Sequence, residues 1–445
     1  MDSGAPSSLP PPSPVATSGL ARARATLAVP HFAPFFASNF AHFLFAQVAM
    51  MALSWLMTEL TESRLLITLV WFMQGVTIFT LSPLAGVVAD RVAKKWLLVG
   101  CRLAMVGVVV TMGTLVATDV ARIGHLWVAS VVAGTAMALM QPAAQTFVFD
   151  LVGRDRIENA ISLGATANGV GQVLGPAAGG AVLVLVGTAN AFYLAGAGML
   201  LAAGLILAVP VSGRAAATGE RKHPFAEVRE GFAWAWSERG VRVALLASTM
   251  AFFNGAIVAM RPVFARFVLE TGEAGLSGMA SAAGTGTVVT AVALSLLPRF
   301  RYLGLWIVGG LLGYAIAVFA YAFAFSYPYV LGCELLLGVS GQVWNVTVMA
   351  GLQLAAPPHL RGRVLSMAFM VAQLGFLGQP IVGALADRLG DRVALGIFGA
   401  IPTIVLTTLL VTQWRVLAQL GEPAPGALEP LVPPPGGGAA GSGSA

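Results

Sequence analysis

The sequence predicts an all-α membrane protein of about twelve transmembrane helices in two parallel six-helix halves. Three observations lead there. Of its 445 residues, 57% are hydrophobic and only 10% charged, with a mean hydropathy of +0.83, well outside the composition of soluble domains. Residues 32–415 also divide into apolar runs of about 20–28 residues separated by short polar turns, long enough for helices that cross a ~30 Å hydrocarbon layer. Finally, a constant shift lays the second half on the first. Arg361-Gly-Arg363 falls close to Arg154–Arg156, Ser366 on Ser162, Gly375 on Gly171, Pro380 on Pro176 and Gly383 on Gly179. Two copies of one six-helix unit are thereby expected, related by an axis along the membrane normal. No apolar–polar alternation suggests a barrel.

Lys and Arg number 25 against 19 Asp and Glu, for a pI near 9.7. Such an excess suits nucleic acid, but its placement argues for a membrane. All but Arg64, Arg122, Arg261, Arg266, Arg388 and Arg392 fall on predicted cytoplasmic loops, tails or helix ends. This is the positive-inside bias, and it puts both termini in the cytoplasm of a multi-pass plasma (inner) membrane protein. The partners expected are the lipid bilayer and a small molecule, with no nucleic acid, and the chain is expected to be a monomer. Cys101 and Cys333 sit singly inside apolar runs and support neither a disulfide nor a metal site. Five scattered His offer no ligand cluster. With no nucleophile–base pair and no nucleotide loop, the sequence does not read as an enzyme. No cleavable signal peptide is visible, and the first long apolar run is retained as a crossing.

Residues 1–30, rich in Pro, Ser and Ala, read as a disordered cytoplasmic tail with Arg22 and Arg24 ahead of the first crossing. That crossing, about 32–60, carries Asn39, His42 and Gln47, and polar groups at such depth face the interior or a cavity. Thr61-Glu-Ser63 forms the outer turn. The second crossing runs inward past Trp71 and Gln74 to Gly86-Val-Val-Ala-Asp90-Arg91-Val-Ala-Lys94-Lys95, where only a tight hairpin fits before the next run. Gly86 lets a neighbouring backbone come close. Asp90 is a carboxylate at the membrane edge and needs a partner or a helix N-terminus. Arg91, Lys94 and Lys95, with Arg102 close behind, mark this loop as cytoplasmic. The third crossing turns at 119–125 and the fourth returns past Gln141-Pro142.

The fifth crossing starts near Ile157 and holds Gly171-Gln-Val-Leu-Gly175-Pro176-Ala-Ala-Gly179-Gly180. Pro176 removes a backbone donor and bends the helix, while the glycines leave one face bare. They serve either ordinary small-residue packing or a direction-specific seam. A sixth crossing, about 189–211, closes the N-terminal half (31–211). Residues 212–241 form a hydrophilic cytoplasmic linker. In it Phe225, Val228, Phe232 and Trp236 recur at helical spacing, as in an amphipathic helix lying on the membrane interface or docked on the protein.

In the C-terminal half (242–415), Glu334 in the tenth crossing is the one carboxylate well inside a span. Arg261 in the seventh lies at similar depth, because the two helices run in opposite directions. A buried Glu334–Arg261 pair is expected, since each charge alone is too costly there. Glu334 either exchanges a proton, or is held structurally by Arg261, or occupies a wet position. His42, whose charge small shifts can change near neutrality, is either a second titrating group or a satisfied interior His. Pro298-Arg-Phe-Arg301 repeats the 86–95 loop without its Asp. Gly383-Ala-Leu-Ala-Asp387-Arg388 looks like that loop, but counting helices puts it at the outer face, as a lookalike. Residues 416–445 read as a second disordered cytoplasmic tail.

The 86–95 loop resembles that between helices 2 and 3 of the major facilitator superfamily, Gly-x-Leu-Ala-Asp-Arg-x-Gly-Arg-Lys. Gly86, Ala89, Asp90, Arg91 and Lys95 match, and Lys94 stands for the first basic residue; Val88 replaces Leu and Ala93 the second Gly. The 171–180 stretch is similar to the helix 5 antiporter signature of drug exporters, lacking one upstream Gly at Ser162. With Leu60-Thr61-x-Ser63 and Arg361-Gly-Arg363, residues 32–415 resemble the enterobactin-exporter and macrolide-efflux branch. The resemblance implies export of a small, largely apolar molecule (drug, siderophore or secondary metabolite). It implies proton entry as the driving force, no other cofactor, and alternating access of two six-helix halves. The central cavity would lie between helices 1, 4, 7 and 10, and Phe, Trp and Met with few charges would line it. Asp90 would latch onto the start of helix 11 near Arg361 and Arg363. The chain departs from its relatives in having no acid near Ala46–Gln47 and no Arg in the fourth crossing, which keeps uptake or uniport open. A sensor or assembly factor would add a folded domain, for which neither tail has the apolar content.

Overall fold

The structure, a computed structural model, describes residues 19–153, 156–213, 234, 236–297, 302–356, 371 and 374–419, and the regular elements among them are all helical. Ten helical stretches among these residues are long and apolar enough to cross a membrane. The N-terminal half comprises α1 (Gly19–Leu27), α2 (Phe32–Leu60), α3 (Arg64–Arg91), α4 (Lys94–Ala117), α5 (Ile123–Val152) and α6 (Ile157–Leu207). The C-terminal half comprises α7 (Arg239–Ser248), α8 (Ala251–Val263), α9 (Gly272–Ser295), α10 (Leu303–Ala320), α11 (Tyr327–Ala355), α12 (Gly375–Leu389) and α13 (Asp391–Gln419).

Two breaks reconcile this list with twelve crossings. At Gly187 the backbone turns to φ 78° and ψ 169°, a conformation that only glycine adopts cheaply. The 51 residues of α6 are thus two crossings, 157–186 and 188–207. Conversely, α7 and α8 belong to one crossing, which Pro262 carries into a π-helical turn at Phe264–Val268 of the kind that bends helices. α12 is the described part of a further crossing. Leu185 and Val411, 80% and 70% exposed, stand on outer faces that hydrocarbon would cover.

The tail predicted to be disordered over 1–30 is corrected at Gly19–Leu27, where Ala, Leu and Arg favour a helix. It docks on the basic end of the N-terminal half: Arg156 donates to the Ala25 carbonyl at 3.2 Å, and Leu27 and Val29 pack against a buried cluster with Phe35 and Phe147.

Where the cores sit sets the shape. At the end carrying Lys94, each half has its own apolar core: Phe35, Leu98, Phe147 and Ile206 in one, Val241, Ile307, Leu352 and Leu417 in the other. At the end carrying Arg64, a single core joins them, Met51, Trp55, Ile67 and Leu183 with Ile257, Met260, Phe264 and Val382. Among the described residues, the two halves share a core at one end and keep separate cores at the other.

Candidate functional site

The shared-core end is closed by charge as well as by apolar packing. Arg64, at the start of α3, pairs with Asp391 at 3.0 Å, and its guanidinium stacks 4.5 Å from the Phe267 ring centroid. Asp387, at the end of α12, accepts from the backbone N–H of Arg64 at 2.7 Å, that of Leu65 at 3.1 Å and Ser63 Oγ at 2.8 Å. A carboxylate from one half thus caps a helix of the other, meeting the unpaired amides and positive dipole end of α3. Below it Gly383 leaves no room for a side chain: a Cβ would lie 2.7 Å from the Arg64 carbonyl and 2.9 Å from Leu65 Cα. The stretch 383–388, read from sequence as a lookalike, holds this seam.

The 171–180 stretch divides its work between two neighbours. Cβ atoms at Gly171, Gly175 and Gly179 would run into Phe43, Gln47 and Met51 of α2, so these glycines let two helices of the same half approach at successive turns. Gly180 faces Ser277 of α9 in the other half, and Ser277 Oγ donates to the Pro176 carbonyl at 2.8 Å. The Pro176 carbonyl is thus the acceptor for this second seam.

Between the two seams lies a cavity of about 270 Å³. Trp71, Gln74 and Ile78 of α3 face Asn254 of α8, Trp344 of α11 and Gln379 of α12 across it. Trp71 and Ile78 stand about 10 and 20 Å along α3 from Arg64, so the cavity is near mid-depth. Phe376 from the second half lies over Gly75, its ring 6.0 Å from Phe72 and 5.8 Å from Phe79; a Cβ at Gly75 would collide with it. This cavity takes walls from crossings 2, 7, 10 and 11, so of the four crossings expected to line a central space it includes 7 and 10. Its lining mixes aromatic rings with three amides. Amides on helices are too common for their pattern to announce a site.

Arg261 and Glu334 lie outside this cavity, toward the shared-core end. Arg261 donates through Nε to Oε1 at 2.7 Å and through Nη2 to Oε2 at 2.8 Å, a bidentate geometry among the strongest available. Tyr321 donates its hydroxyl to the same Oε1. Glu334 is fully buried and the Arg261 side chain 14% exposed.

Arg102 was expected near a loop and is instead fully buried inside α4. It donates to Ser38 Oγ, Asn39 Oδ1 and the Ala202 carbonyl, while its Nε finds no protein partner. Position alone could not tell a guanidinium two turns into a helix from one that snorkels out. Asn39 is thus a ligand of Arg102. His42 lies one turn beyond Ser38, its Nδ1 buried without a partner, and Gln47 lies under Gly175.

Of the predicted latch, Arg91 is exposed, Lys94 pairs with Asp150 at 2.7 Å, and Lys95 donates to the Leu207 carbonyl at 2.9 Å and to that of Val209. These lysines are tied within the N-terminal half. The surroundings of Gly86, the side chain of Asp90, and the whole of Arg361 and Arg363 lie outside what is described, as does most of the 212–241 linker.

A family model described as Major Facilitator Superfamily matches residues 35–378. Among solved structures, the chain is similar to a POT family transporter in complex with a thioalcohol-conjugated peptide, with 13% identity, 86% of this chain and 96% of that one covered, and a TM-score of 0.70. It is similar to the nucleoside transporter NupG, with 13% identity, 86% and 98% coverage and a TM-score of 0.68. A bacterial homolog of the human lysosomal transporter Spinster, in an inward-facing and unoccupied conformation, shares 16% identity over 88% of this chain and 96% of its own, at a TM-score of 0.66. At such identities the likeness is one of fold. None of the curated proteins matches the chain.

Proposed function

The chain belongs to the Major Facilitator Superfamily and is a multi-pass membrane transporter, not an enzyme; from that premise we propose that it exports a small molecule by alternating access, driven by proton entry. The observation that carries the mechanism is the distribution of cores, one shared at the Arg64 end and two separate at the Lys94 end. Such a shape closes the mid-depth cavity on one side and leaves the halves free to part on the other. The concentration of Lys and Arg at the separate end supports its being cytoplasmic, so that the structure corresponds to a state shut toward the outside. Export and membership of the enterobactin-exporter and macrolide-efflux branch rest on Leu60-Thr61-x-Ser63, the 86–95 and 171–180 stretches and Arg361-Gly-Arg363.

Glu334 is read as a structural partner of Arg261, because proton exchange would have to break a bidentate pair that Tyr321 reinforces. Charging His42 would set a second cation beside Arg102, with no carboxylate paired to that guanidinium among the described residues. The latch between Asp90 and Arg361 or Arg363 is retained as the counterpart seam that would close the cytoplasmic end in the alternate state. Accumulation of a panel of antibiotics and siderophores is to be compared in cells with and without the protein, each with and without a proton uncoupler. Lower accumulation that the uncoupler abolishes is expected. Higher accumulation would turn the reading to uptake, and no difference for any compound would remove it.

A further inference from the structure

Two residues that line the mid-depth cavity each carry a buried polar atom that finds no protein partner. Trp71 Nε1 is a donor and Gln379 Oε1 an acceptor, both shut from solvent and both without a hydrogen bond within the chain. They come from opposite halves and belong to residues lining the same space. The other end of the Gln379 amide is engaged, Nε2 lying 3.4 Å from the Gly255 carbonyl, which leaves Oε1 as the open valence. Native interiors seldom keep such groups unmet without a reason. The terminal torsion of Gln is soft, so a small rotation turns Oε1 onto the cavity.

The rest of the lining narrows what can meet them. Among the described residues it contains no Asp, Glu, Lys, Arg or His, so an ion entering here would shed its water and find no counter-charge. A wholly apolar molecule would fit the rings of Trp71, Trp344 and Phe376 but leave both orphan atoms unmet. Gln74 and Asn254 add further amides that can both give and accept.

We infer that this cavity selects a neutral, planar molecule that accepts from Trp71 Nε1 and donates to Gln379 Oε1, the chemistry of lactams, amides and uncharged heteroaromatic rings. The inference rests on the transport reading above for the cavity's being the substrate site, and it replaces a largely apolar cargo with a polar uncharged one.

Its test uses the purified full chain in detergent and saturation-transfer NMR with four probes on one ring system. These are 2-quinolone, N-methyl-2-quinolone, quinoline-2-carboxylate and N-methylquinolinium. 2-Quinolone should bind more tightly than either ion, and Trp71→Phe and Gln379→Met should each weaken it about three- to tenfold, the size of one lost hydrogen bond. N-methyl-2-quinolone, which has no donor, should be indifferent to Gln379→Met; that arm separates a lost contact from a damaged fold. The inference is overturned if 2-quinolone does not bind, if either ion binds as well, or if both variants leave its affinity unchanged. Its fate is separable from that of the transport reading. Binding as expected with no change in cellular accumulation would sink transport alone, whereas uncoupler-sensitive export with ions preferred in the NMR would sink this inference alone.

Discussion

Replacing Glu334 by Gln asks whether the Arg261 pair is scaffold or machinery. The substitution keeps one acceptor but sets an amide NH2 against a guanidinium N–H, so one of the two hydrogen bonds at 2.7 and 2.8 Å becomes a donor–donor contact. The charge of Arg261 is then left largely buried. Breaking such a pair on one side costs about 3–5 kcal/mol. The two single variants should differ: Glu334 is fully buried while Arg261 keeps 14% exposure and can recruit some water. Arg261→Gln, which strands the carboxylate, should therefore cost more than Glu334→Gln. The double variant should recover roughly 2 kcal/mol or more of the summed loss, since neither charge remains. Tyr321→Phe, removing one hydroxyl donor from Oε1, should cost only about 1 kcal/mol. Unfolding by SDS in mixed micelles gives these free energies, and uptake into everted vesicles gives the response to a pH gradient. A Glu334→Gln protein of unaltered stability that had lost only its pH-gradient response would refute the structural reading and make Glu334 the coupling group.

Gly179→Leu should insert and express but stop export, because a Cβ there already lies 2.9 Å from Met51 Cγ and 3.2 Å from Val48 Cα, and overpacking costs about 1–3 kcal/mol; full export by a well-expressed variant would leave these glycines as filler. Asp387→Asn should loosen the α3 cap by about 1 kcal/mol and raise labelling of a cysteine placed at Ile78 by a thiol reagent applied from outside; unchanged labelling would separate the cap from gating. Asn39→Leu takes an acceptor from the buried guanidinium of Arg102 and should lower stability by about 1–3 kcal/mol, read against a Leu substitution on a lipid face. Asp90→Asn should favour the state open to the cytoplasm, read as faster labelling of the same cavity cysteine from that side.

How much of this was legible depended on the range of the signal. Hydropathy and loop charge are local, so the twelve crossings, the limits of α2 and the start of α6 at Ile157 could be read from the chain alone. Arg261 and Glu334 were legible as a pair because two charges at one depth leave few alternatives. Arg102 was not, since a cation held by Ser38, Asn39 and a carbonyl has no partner that the sequence marks. The seam at Asp387 was hidden for another reason. Its partners are mostly backbone amides of α3, which every helix start possesses, so no residue type announces them. The cavity was the least legible, because Trp71, Gln74, Asn254 and Gln379 come from three helices whose facing surfaces are decided only by packing.

The two copies of the fifth crossing carry the argument from packing to binding. In the first, Gly171, Gly175 and Gly179 give way at each turn to Phe43, Gln47 and Met51, and the contact is filled from the α2 side. In the second, Gly375 keeps a close approach, its Cβ position 3.1 Å from the Gly255 amide nitrogen, but Gln379 stands where Gly175 would. A side chain now projects from the repeat itself, while Gly255 on the partner helix makes room for the Gly375 backbone. The helices still meet closely, glycine against glycine. A glycine at 379 would offer the cavity nothing, whereas Gln379 spends one end of its amide on the Gly255 carbonyl and leaves the other unmet at the cavity wall. The position where the repeat departs from its first copy is thus the position where a seam between helices acquires a chemical preference.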